Sequence, residues 1–237
     1  MHIIAHRGFS AEYPENTLLA FREAINAGAW MIETDIRLSA DDVPVIFHDS
    51  SLQRVCGLRE GVEDLPYEVL SKIDISSYFD SAMPLQTIPT LAELLDSIHG
   101  EIGVILEIKY HPKTCEKIAS IVEPMIADKL DWLEVSSFDD GILEDFHVRN
   151  PAIKLHKLIE DVEVLQRSDF VSAYGYVYAF DIDINLLNHP KTQSLMQTHK
   201  VIFWTVDDQD PITFPKAFAA MSNNPIHLKQ RIAHGRL

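Results

Sequence analysis

The chain is poor in cysteine and in basic residues. Its only two cysteines, Cys56 and Cys115, lie far apart and form no CxxC pattern, so neither a disulfide framework nor a cysteine-based zinc site is expected. Lysine and arginine number 20 against 36 acidic residues, for a formal net charge of -16. This excess of negative charge argues against a nucleic-acid partner or an anionic membrane surface. An anionic substrate would have to be met locally, by a metal cation or by a few basic side chains.

The sequence also lacks long hydrophobic runs. No stretch approaches the roughly 20 apolar residues that span a bilayer. The first residues contain no basic region followed by an apolar segment and a cleavage site. We therefore expect a cytoplasmic protein without stable membrane insertion. The oligomeric state is left open by the sequence.

Strand-like and helical segments alternate along most of the chain and predict a (β/α)8 TIM barrel. The later strands are predicted at residues 103–109, 133–138, 153–159, 174–180 and 201–206. Repeated βα units imply a parallel sheet, either closed or doubly wound. Because no glycine-rich dinucleotide or phosphate loop follows any of these strands, the closed barrel is favoured. We expect the last unit to consist of a helix near residues 215–221 and a short eighth strand at 225–228.

At 237 residues and 46% hydrophobic composition, the chain can form one barrel, and we expect a single domain over residues 1–237. Within it, residues 50–86 scatter apolar side chains among charges. This pattern predicts a small insertion with short helices that covers the rim of the barrel. Ahead of it, Asn16 or Thr17 is expected to cap the first helix, which ends at Gly28.

Residues 31–49 combine strand-like sequence with charged groups. Glu33 and Asp35 lie two residues apart in an otherwise apolar run, so their carboxylates project from the same face of a strand. A second apolar run ends at His48-Asp49. The connection between the runs is too short for a parallel crossover, so we predict a hairpin that turns at Ala40-Asp41. This hairpin would bring His48 back opposite Glu33.

Other candidate residues also follow predicted strands. The first strand ends at His6-Arg7, and Glu107 and Lys109 lie near the end of the strand at 103–109. Each alone has a simpler explanation, as a surface histidine or a solvated ion pair, and Trp204 near the end of the seventh barrel strand is most simply a core residue. Because the carboxyl ends of barrel strands share one rim, however, their convergence favours a single site.

The chemistry of this set is specific. Glu33, Asp35 and Glu107 offer hard oxygen ligands that suit Mg²⁺ or Ca²⁺. Three unpaired carboxylates would repel one another, and one divalent cation would relieve that repulsion. Arg7 and Lys109 could then hold the remaining charge of a phosphate group.

Two histidines complete the set. His6 and His48, with ordinary pKa values near ~6.5, can divide the roles of general base and general acid on opposite sides of a phosphorus centre. The residues together therefore indicate metal-assisted phosphodiester cleavage.

Several blocks of the sequence resemble those of the glycerophosphodiester phosphodiesterase family, which belongs with the phosphatidylinositol-phospholipase-C-like barrels. The blocks are IIAHRGFSAEYPENTLLAF, MIETDIRLSADDVPVIFHDSSLQR, IPTLAELL, VILEIK, VSSF and FWTV. They occur in the family's order and cover the chain from Ile3 to about Asp207. The sequence departs from the family pattern at Trp30, at Asp207, and in a final Thr-Asp-x-Pro block that is not recognisable in Asn223–Gln230.

The resemblance implies roles for the same residues. His6 and His48 would be the acid and base, and Glu33, Asp35 and Glu107 would be the metal ligands. Arg7 and Lys109 would contact the phosphate group, and Trp204 would be a further substrate-binding residue. The resemblance also implies a barrel with an inserted segment after the His-Asp motif.

The implied reaction is hydrolysis of a small glycerophosphodiester to sn-glycerol 3-phosphate and an alcohol. The nucleophile could be water or the neighbouring glycerol hydroxyl, which would form a cyclic phosphate. One alternative keeps the site but uses a lysophospholipid or an inositol phosphodiester, and an apolar rim in the inserted segment would favour it. Another alternative is a non-catalytic module that binds phosphoesters.

Overall fold

The computed structural model describes residues 1–206 and 216–234. Within these ranges the strands are β1 His2–His6, β2 Met31–Leu38, β3 Pro44–Ile46, β4 Gly103–Ile108, β5 Leu133–Ser137, β6 Leu155–Ile159, β7 Ala179–Asp183, β8 Lys200–Trp204 and β9 Ala219–Ser222. The α-helices are α1 Leu18–Asn26, α2 Gln53–Cys56, α3 Tyr67–Leu70, α4 Leu91–Ile98, α5 Ile118–Ile126, α6 Asp140–Arg149, α7 Val162–Gln166, α8 Phe170–Ala173, α9 Pro190–Thr198 and α10 Pro225–Ala233.

Eight of the strands form a closed parallel barrel. Going round it, β1 pairs with β2, then β4, β5, β6, β7, β8 and β9 follow in order, and β9 pairs with β1. The ninth strand, β3, is antiparallel to β2 and lies outside the ring. This closure confirms the predicted (β/α)8 barrel.

Each barrel strand turns alternate residues inward, and the inward residues change character along the strand. Near the amino ends they are apolar and form one interior cluster with Ile4, Met31, Ile105 and Ile202. The residues two positions later on the same strands are His6, Glu33, Glu107 and Trp204. Because the side-chain period of a strand is two, the alternation that fills the barrel also carries these polar groups to its carboxyl end.

The predicted hairpin is present. Arg37 pairs with Val45 and Leu38 with Pro44, and the turn contains Asp42 at φ 65°. Continuing this register puts His48 opposite Thr34, one residue from the predicted position opposite Glu33.

The prediction for the last βα unit was wrong. Residues 219–222 form the eighth barrel strand, β9, where we expected a helix, and residues 225–233 form helix α10, where we expected a strand. The strand is short and composed of Ala-Ala-Met-Ser, which carries little β signal. Asn224 caps α10 and Pro225 occupies its first turn, a typical helix start. Asp207 and Pro215 lie outside the described residues.

Two other predicted segments are displaced. Strand β7 begins at Ala179, not at residue 174, and the predicted helix at 161–169 is replaced by the two short helices α7 and α8. Tyr174 is buried against Phe170 and Phe180 rather than paired in the sheet. Tyr174 therefore packs between the barrel and the surrounding helices, and its aromatic side chain is not part of a strand.

Residues 50–86 contain the short helices α2 and α3 and a 3-10 turn at Val62–Asp64. Their apolar side chains form a separate cluster with β3, which includes Leu52, Val62 and Leu70. A buried ion pair joins this segment to the barrel, since Arg37 Nη1 lies 2.7 Å from Glu63 Oε1. The segment is thus held beside the carboxyl end of β2. Among the described helices, none has the length and hydrophobicity needed to cross a bilayer.

A buried charged triad lies inside the barrel, one layer below the carboxyl rim. His156 Nε2 is 2.8 Å from Glu134 Oε2, and its Nδ1 is 3.1 Å from Asp181 Oδ1. Burial alone would lower the pKa of His156, but the two carboxylates outweigh it and raise the pKa to about 10. The imidazole is therefore a buried cation at neutral pH.

We predict that His156→Leu lowers the free energy of unfolding at pH 7 by about 3–5 kcal/mol, because it leaves the buried Asp181 without its counter-charge and Glu134 with Lys154 alone. The native imidazole stabilises the fold fully below its unfolded pKa of 6.5, and this contribution is lost as pH rises toward about 10. Urea unfolding between pH 6.5 and 10 should therefore give a falling stability in the native protein, with this component missing in the variant. His147→Leu, outside the barrel, is the control, and an equal pH slope in native protein and His156→Leu would contradict the prediction.

Candidate active site

A pocket with a cavity volume of about 120 Å³ opens at the carboxyl end of the barrel. The residues that line it come from seven of the barrel strands, from the loops that follow them and from the segment just after β3. They are His6, Arg7, Glu33, His48, Glu107, Lys109, Ser136, Phe138, Leu158, Glu160, Trp204 and Met221. All the predicted site residues except Asp35 are in this lining.

Asp35 does not line the pocket itself but belongs to a buried carboxylate cluster with two lining residues, Glu33 and Glu107. One oxygen from each of Glu33, Asp35 and Glu107 lies within 4.8 Å of the others, and all three residues are buried. Burial and the neighbouring carboxylates raise the pKa of Glu33 well above its ordinary value and that of Glu107 to about 7. Burial opposes ionisation of Asp35 too, but Lys109 and Arg7 hold its pKa below the usual range.

Two cations accompany the cluster. Lys109 Nζ lies 2.9 Å from Asp35 Oδ1 and also pairs with Glu107. Arg7 Nε lies 3.4 Å from Asp35 Oδ2, and Arg7 Nη1 is 3.0 Å from Glu15. The cluster therefore has three carboxylates and two neighbouring bases, and Glu15 is shared between Arg7 and Arg54.

The carboxylate cluster fits a divalent cation. Glu33 Oε1 is buried and has no hydrogen-bond partner among the described residues. Such an atom is costly to leave bare in a protein interior unless a ligand or ion completes it. Since all the donors are carboxylate oxygens, Mg²⁺ or Ca²⁺ suits them better than a softer metal.

His6 is held by a residue that the sequence did not indicate. Its Nδ1 lies 2.7 Å from Asn223 Oδ1, which also accepts a hydrogen bond from Ser10 Oγ at 3.0 Å. The Nε2 atom faces the cluster, 3.9 Å from Glu33 Oε2. Burial lowers the pKa of His6 to about 4. Asn223 follows β9 directly, so Ser222-Asn223-Asn224-Pro225 stands where the resemblance leads one to expect Thr-Asp-x-Pro.

His48 is oriented by a chain of ion pairs that runs across the rim. Its Nδ1 lies 2.6 Å from Asp49 Oδ1, and burial lowers its pKa. Arg54 contacts both Asp49, at 2.8 Å, and Glu15, at 2.7 Å. Since Glu15 also binds Arg7, the helix α2 joins the histidine of the hairpin to the arginine of the first loop. Arg54 follows the His48-Asp49 motif closely in the sequence, but its second partner, Glu15, is 39 residues away, so the sequence alone did not indicate this link.

The side chain of Asn16 does not cap the first helix. Thr17 is the cap, accepting a hydrogen bond from the backbone N–H of Ala20 at 3.1 Å. Asn16 is buried at φ 58° and donates from Nδ2 to Asp35 Oδ2 at 2.7 Å. Its Oδ1 accepts from Thr34 Oγ1 at 2.8 Å. Asn16 therefore fixes the orientation of a carboxylate in the cluster.

Comparison of sequences relates this chain to known phosphodiesterases. The model of the glycerophosphoryl diester phosphodiesterase family matches residues 6–223. A glycerophosphodiester phosphodiesterase from Bacillus altitudinis is 36% identical over 166 residues, which cover 68% of this chain and 67% of that protein. YhdW from Bacillus subtilis, whose name as a glycerophosphodiester phosphodiesterase is provisional, is 41% identical over 217 residues, 88% of this chain and 87% of its own.

Solved structures give the same relation. A phosphodiesterase from Oleispira antarctica, in complex with the product sn-glycerol-3-phosphate, superposes with a TM-score of 0.89 at 25% identity and covers 98% of this chain and 97% of its own. The glycerophosphodiester phosphodiesterase of Thermotoga maritima gives a TM-score of 0.78 at 26% identity, with 96% of each chain covered.

We predict that Asn16→Gly weakens binding of Ca²⁺ or Mg²⁺ by about 10–100-fold, because Asp35 loses the hydrogen bond that orients it. Glycine keeps the positive φ of this position, so the effect isolates the side chain. Thr17→Ala is the matched control: it removes the helix cap and costs about 1 kcal/mol of stability without touching the carboxylates. Calorimetric titration with metal should separate the two variants, and equal affinity in native protein and Asn16→Gly would contradict the assigned role.

Proposed function

This chain belongs to the glycerophosphoryl diester phosphodiesterase family, and we propose that it hydrolyses glycerophosphodiesters to sn-glycerol 3-phosphate and an alcohol with the help of one divalent cation, Mg²⁺ or Ca²⁺. The observation that carries the proposal is the buried carboxylate cluster beside a pocket that two oriented imidazoles, His6 and His48, also line. The named product in the Oleispira antarctica complex supports the same substrate class. We further propose that the whole chain is one domain with residues 50–86 as an insertion.

Glu33, Asp35 and Glu107 would hold the cation. When bound, it would neutralise the phosphodiester charge and polarise the phosphoryl oxygens. Arg7 and Lys109, already beside the cluster, supply the remaining positive charge for the phosphate.

The two histidines divide the proton transfers. The side-chain oxygen Oδ1 of Asn223 accepts the Nδ1 proton of His6, so Nε2 carries the lone pair and takes a proton from the attacking hydroxyl. Asp49 beside Nδ1 of His48 opposes the lowering of its pKa by burial, so His48 is the residue that donates a proton to the leaving alkoxide. The attacking group is water, or the glycerol hydroxyl next to the phosphate. Labelled water distinguishes the two, because attack by water puts ¹⁸O into the first phosphate product, whereas attack by the hydroxyl first forms a cyclic phosphate without ¹⁸O.

The lysophospholipid alternative is the second candidate, because the inserted segment exposes apolar side chains. Leu58, Val69, Tyr78 and Leu85 are 39–68% exposed. This substrate class would be favoured if lysophosphatidylcholine is hydrolysed as fast as glycerophosphocholine and if Leu85→Asp lowers the rate on lysophosphatidylcholine.

We expect His6→Ala and His48→Ala each to lower kcat on glycerophosphocholine by about 10²–10⁴-fold, because a proton-transfer group is lost. Release of choline in the presence of Mg²⁺ or Ca²⁺ is the measurement, and EDTA should abolish it in the native enzyme. His147→Ala, which removes an imidazole stacked on Tyr176 outside the barrel, is the control. Full activity in either site variant would remove its assigned role.

Arg54→Met should lower kcat about tenfold with a smaller change in KM, because Arg54 positions Asp49 and Glu15 but lies outside the pocket lining. Arg59→Met, an exposed arginine of the same segment, should leave both constants unchanged. Steady-state kinetics and a thermal unfolding curve for each variant provide the check. A loss of stability without a loss of kcat would assign Arg54 a structural role only.

A further inference from the structure

The pocket has two chemically different walls. The metal-binding carboxylates, both histidines and both cations lie at the ends of β1 to β4. The opposite wall, from β5, β6, β8 and β9, carries Phe138, Leu158, Trp204 and Met221, with Glu160 as its only charged residue among the described lining. A phosphodiester bound at the first wall therefore has one substituent beside an apolar surface with a single negative charge.

The aromatic residues of this second wall are held in place. Phe138 and Trp204 contact each other edge to face, with ring centroids 5.5 Å apart. The indole N–H of Trp204 donates to the carbonyl oxygen of Asp181 at 3.0 Å, and the carbonyl of Phe138 accepts from Lys157 at 2.5 Å. Because its N–H is already bonded, Trp204 offers the pocket ring surface rather than a donor. Ring surface attracts alkylated cations.

Glu160 gives this wall its charge. It is exposed at the carboxyl end of β6 and makes no ion pair with another described residue. The lining cations Arg7 and Lys109 are already paired with other carboxylates. An incoming positive group would thus meet an uncompensated carboxylate beside aromatic rings, whereas an anionic group would be repelled.

Ser136 independently indicates that a ligand completes this wall. The residue is 1% exposed and lines the pocket, yet Ser136 Oγ has no hydrogen-bond partner among the described residues. A buried hydroxyl without a partner is uncommon in folded proteins. Its register position beside Glu107 puts it between the carboxylate cluster and the aromatic rings.

We propose that Phe138, Trp204 and Glu160 form a head-group subsite for positively charged alcohols, of the quaternary or primary ammonium class. This inference rests on the proposed function and assigns its substrate preference. In glycerophosphocholine or glycerophosphoethanolamine, the phosphate occupies the first wall and the ammonium group lies against the rings and Glu160. Neutral and anionic head groups lack this interaction.

The test compares glycerophosphocholine with glycerophosphoglycerol, whose head group is neutral. Glu160→Gln should lower the ratio of their kcat/KM values by about five- to tenfold, and Glu160→Lys should lower it further, because the charge facing the ammonium is removed and then reversed. Glu163→Gln removes an equal charge from nearby helix α7 and should leave the ratio unchanged. An unchanged ratio in Glu160→Gln, or equal losses on both substrates, would overturn the subsite.

Calorimetric binding separates this inference from the proposed reaction. With EDTA present, so that no turnover is expected, the native protein should bind glycerophosphocholine more tightly than glycerophosphoglycerol, and Glu160→Gln should narrow the difference. Selective binding in EDTA, with no turnover after Ca²⁺ or Mg²⁺ is added in excess, would contradict the proposed function and support the subsite. Turnover with equal affinity for the two diesters, in native protein and variant, would support the function and refute the subsite.

Discussion

The crowding of like charge at one end of the barrel is the constraint on which the rest of the site depends. Three buried carboxylates lie with oxygens within 4.8 Å, and burial makes their repulsion far stronger than in water. Lys109 and Arg7 compensate this repulsion only in part. They hold the pKa of Asp35 low, whereas the pKa values of Glu33 and Glu107 are raised. A divalent cation would complete the compensation. Substrate phosphate, metal and bases are thus parts of one charge balance, so each is expected to change the affinity for the others.

The residues around this cluster act by orientation. Asn16 fixes Asp35, Asn223 fixes His6, and Asp49 fixes His48, each through a hydrogen bond of 2.6–2.7 Å. Their positions come from three different loops, and Arg54 links two of these loops through Asp49 and Glu15. Residues 50–86 are thus tied to the site, because helix α2 carries Arg54, which joins Asp49 to Glu15.

In the proposed reaction, the two-walled pocket would separate bond cleavage from recognition of the head group. The groups proposed for chemistry come from the early strands, where the hairpin adds His48, and the apolar wall comes from the later strands. In a (β/α)8 barrel such a separation costs little, since each loop at the carboxyl end can vary while the strands keep their register. A change of head-group preference in this arrangement would require substitutions only at the carboxyl ends of β5, β6 and β8.

The sequence by itself determined the barrel, because repeated βα units with buried parallel strands have few other ways to pack, and it determined the hairpin, because the link between its strands is too short for a crossover. It also indicated which polar residues end the early strands, since the period of two places Glu33 with Asp35 and the rim gathers strand ends. Only the tertiary structure decided the rest. The eighth strand, Ala-Ala-Met-Ser, forms because β1 and β8 leave a gap between them that must be paired, a demand that no local propensity expresses. The partners of Asp35, His6 and His48, and the approach of Glu160 to the aromatic wall, arise from contacts between segments far apart in the chain, and such contacts are set by barrel closure rather than by neighbouring residues.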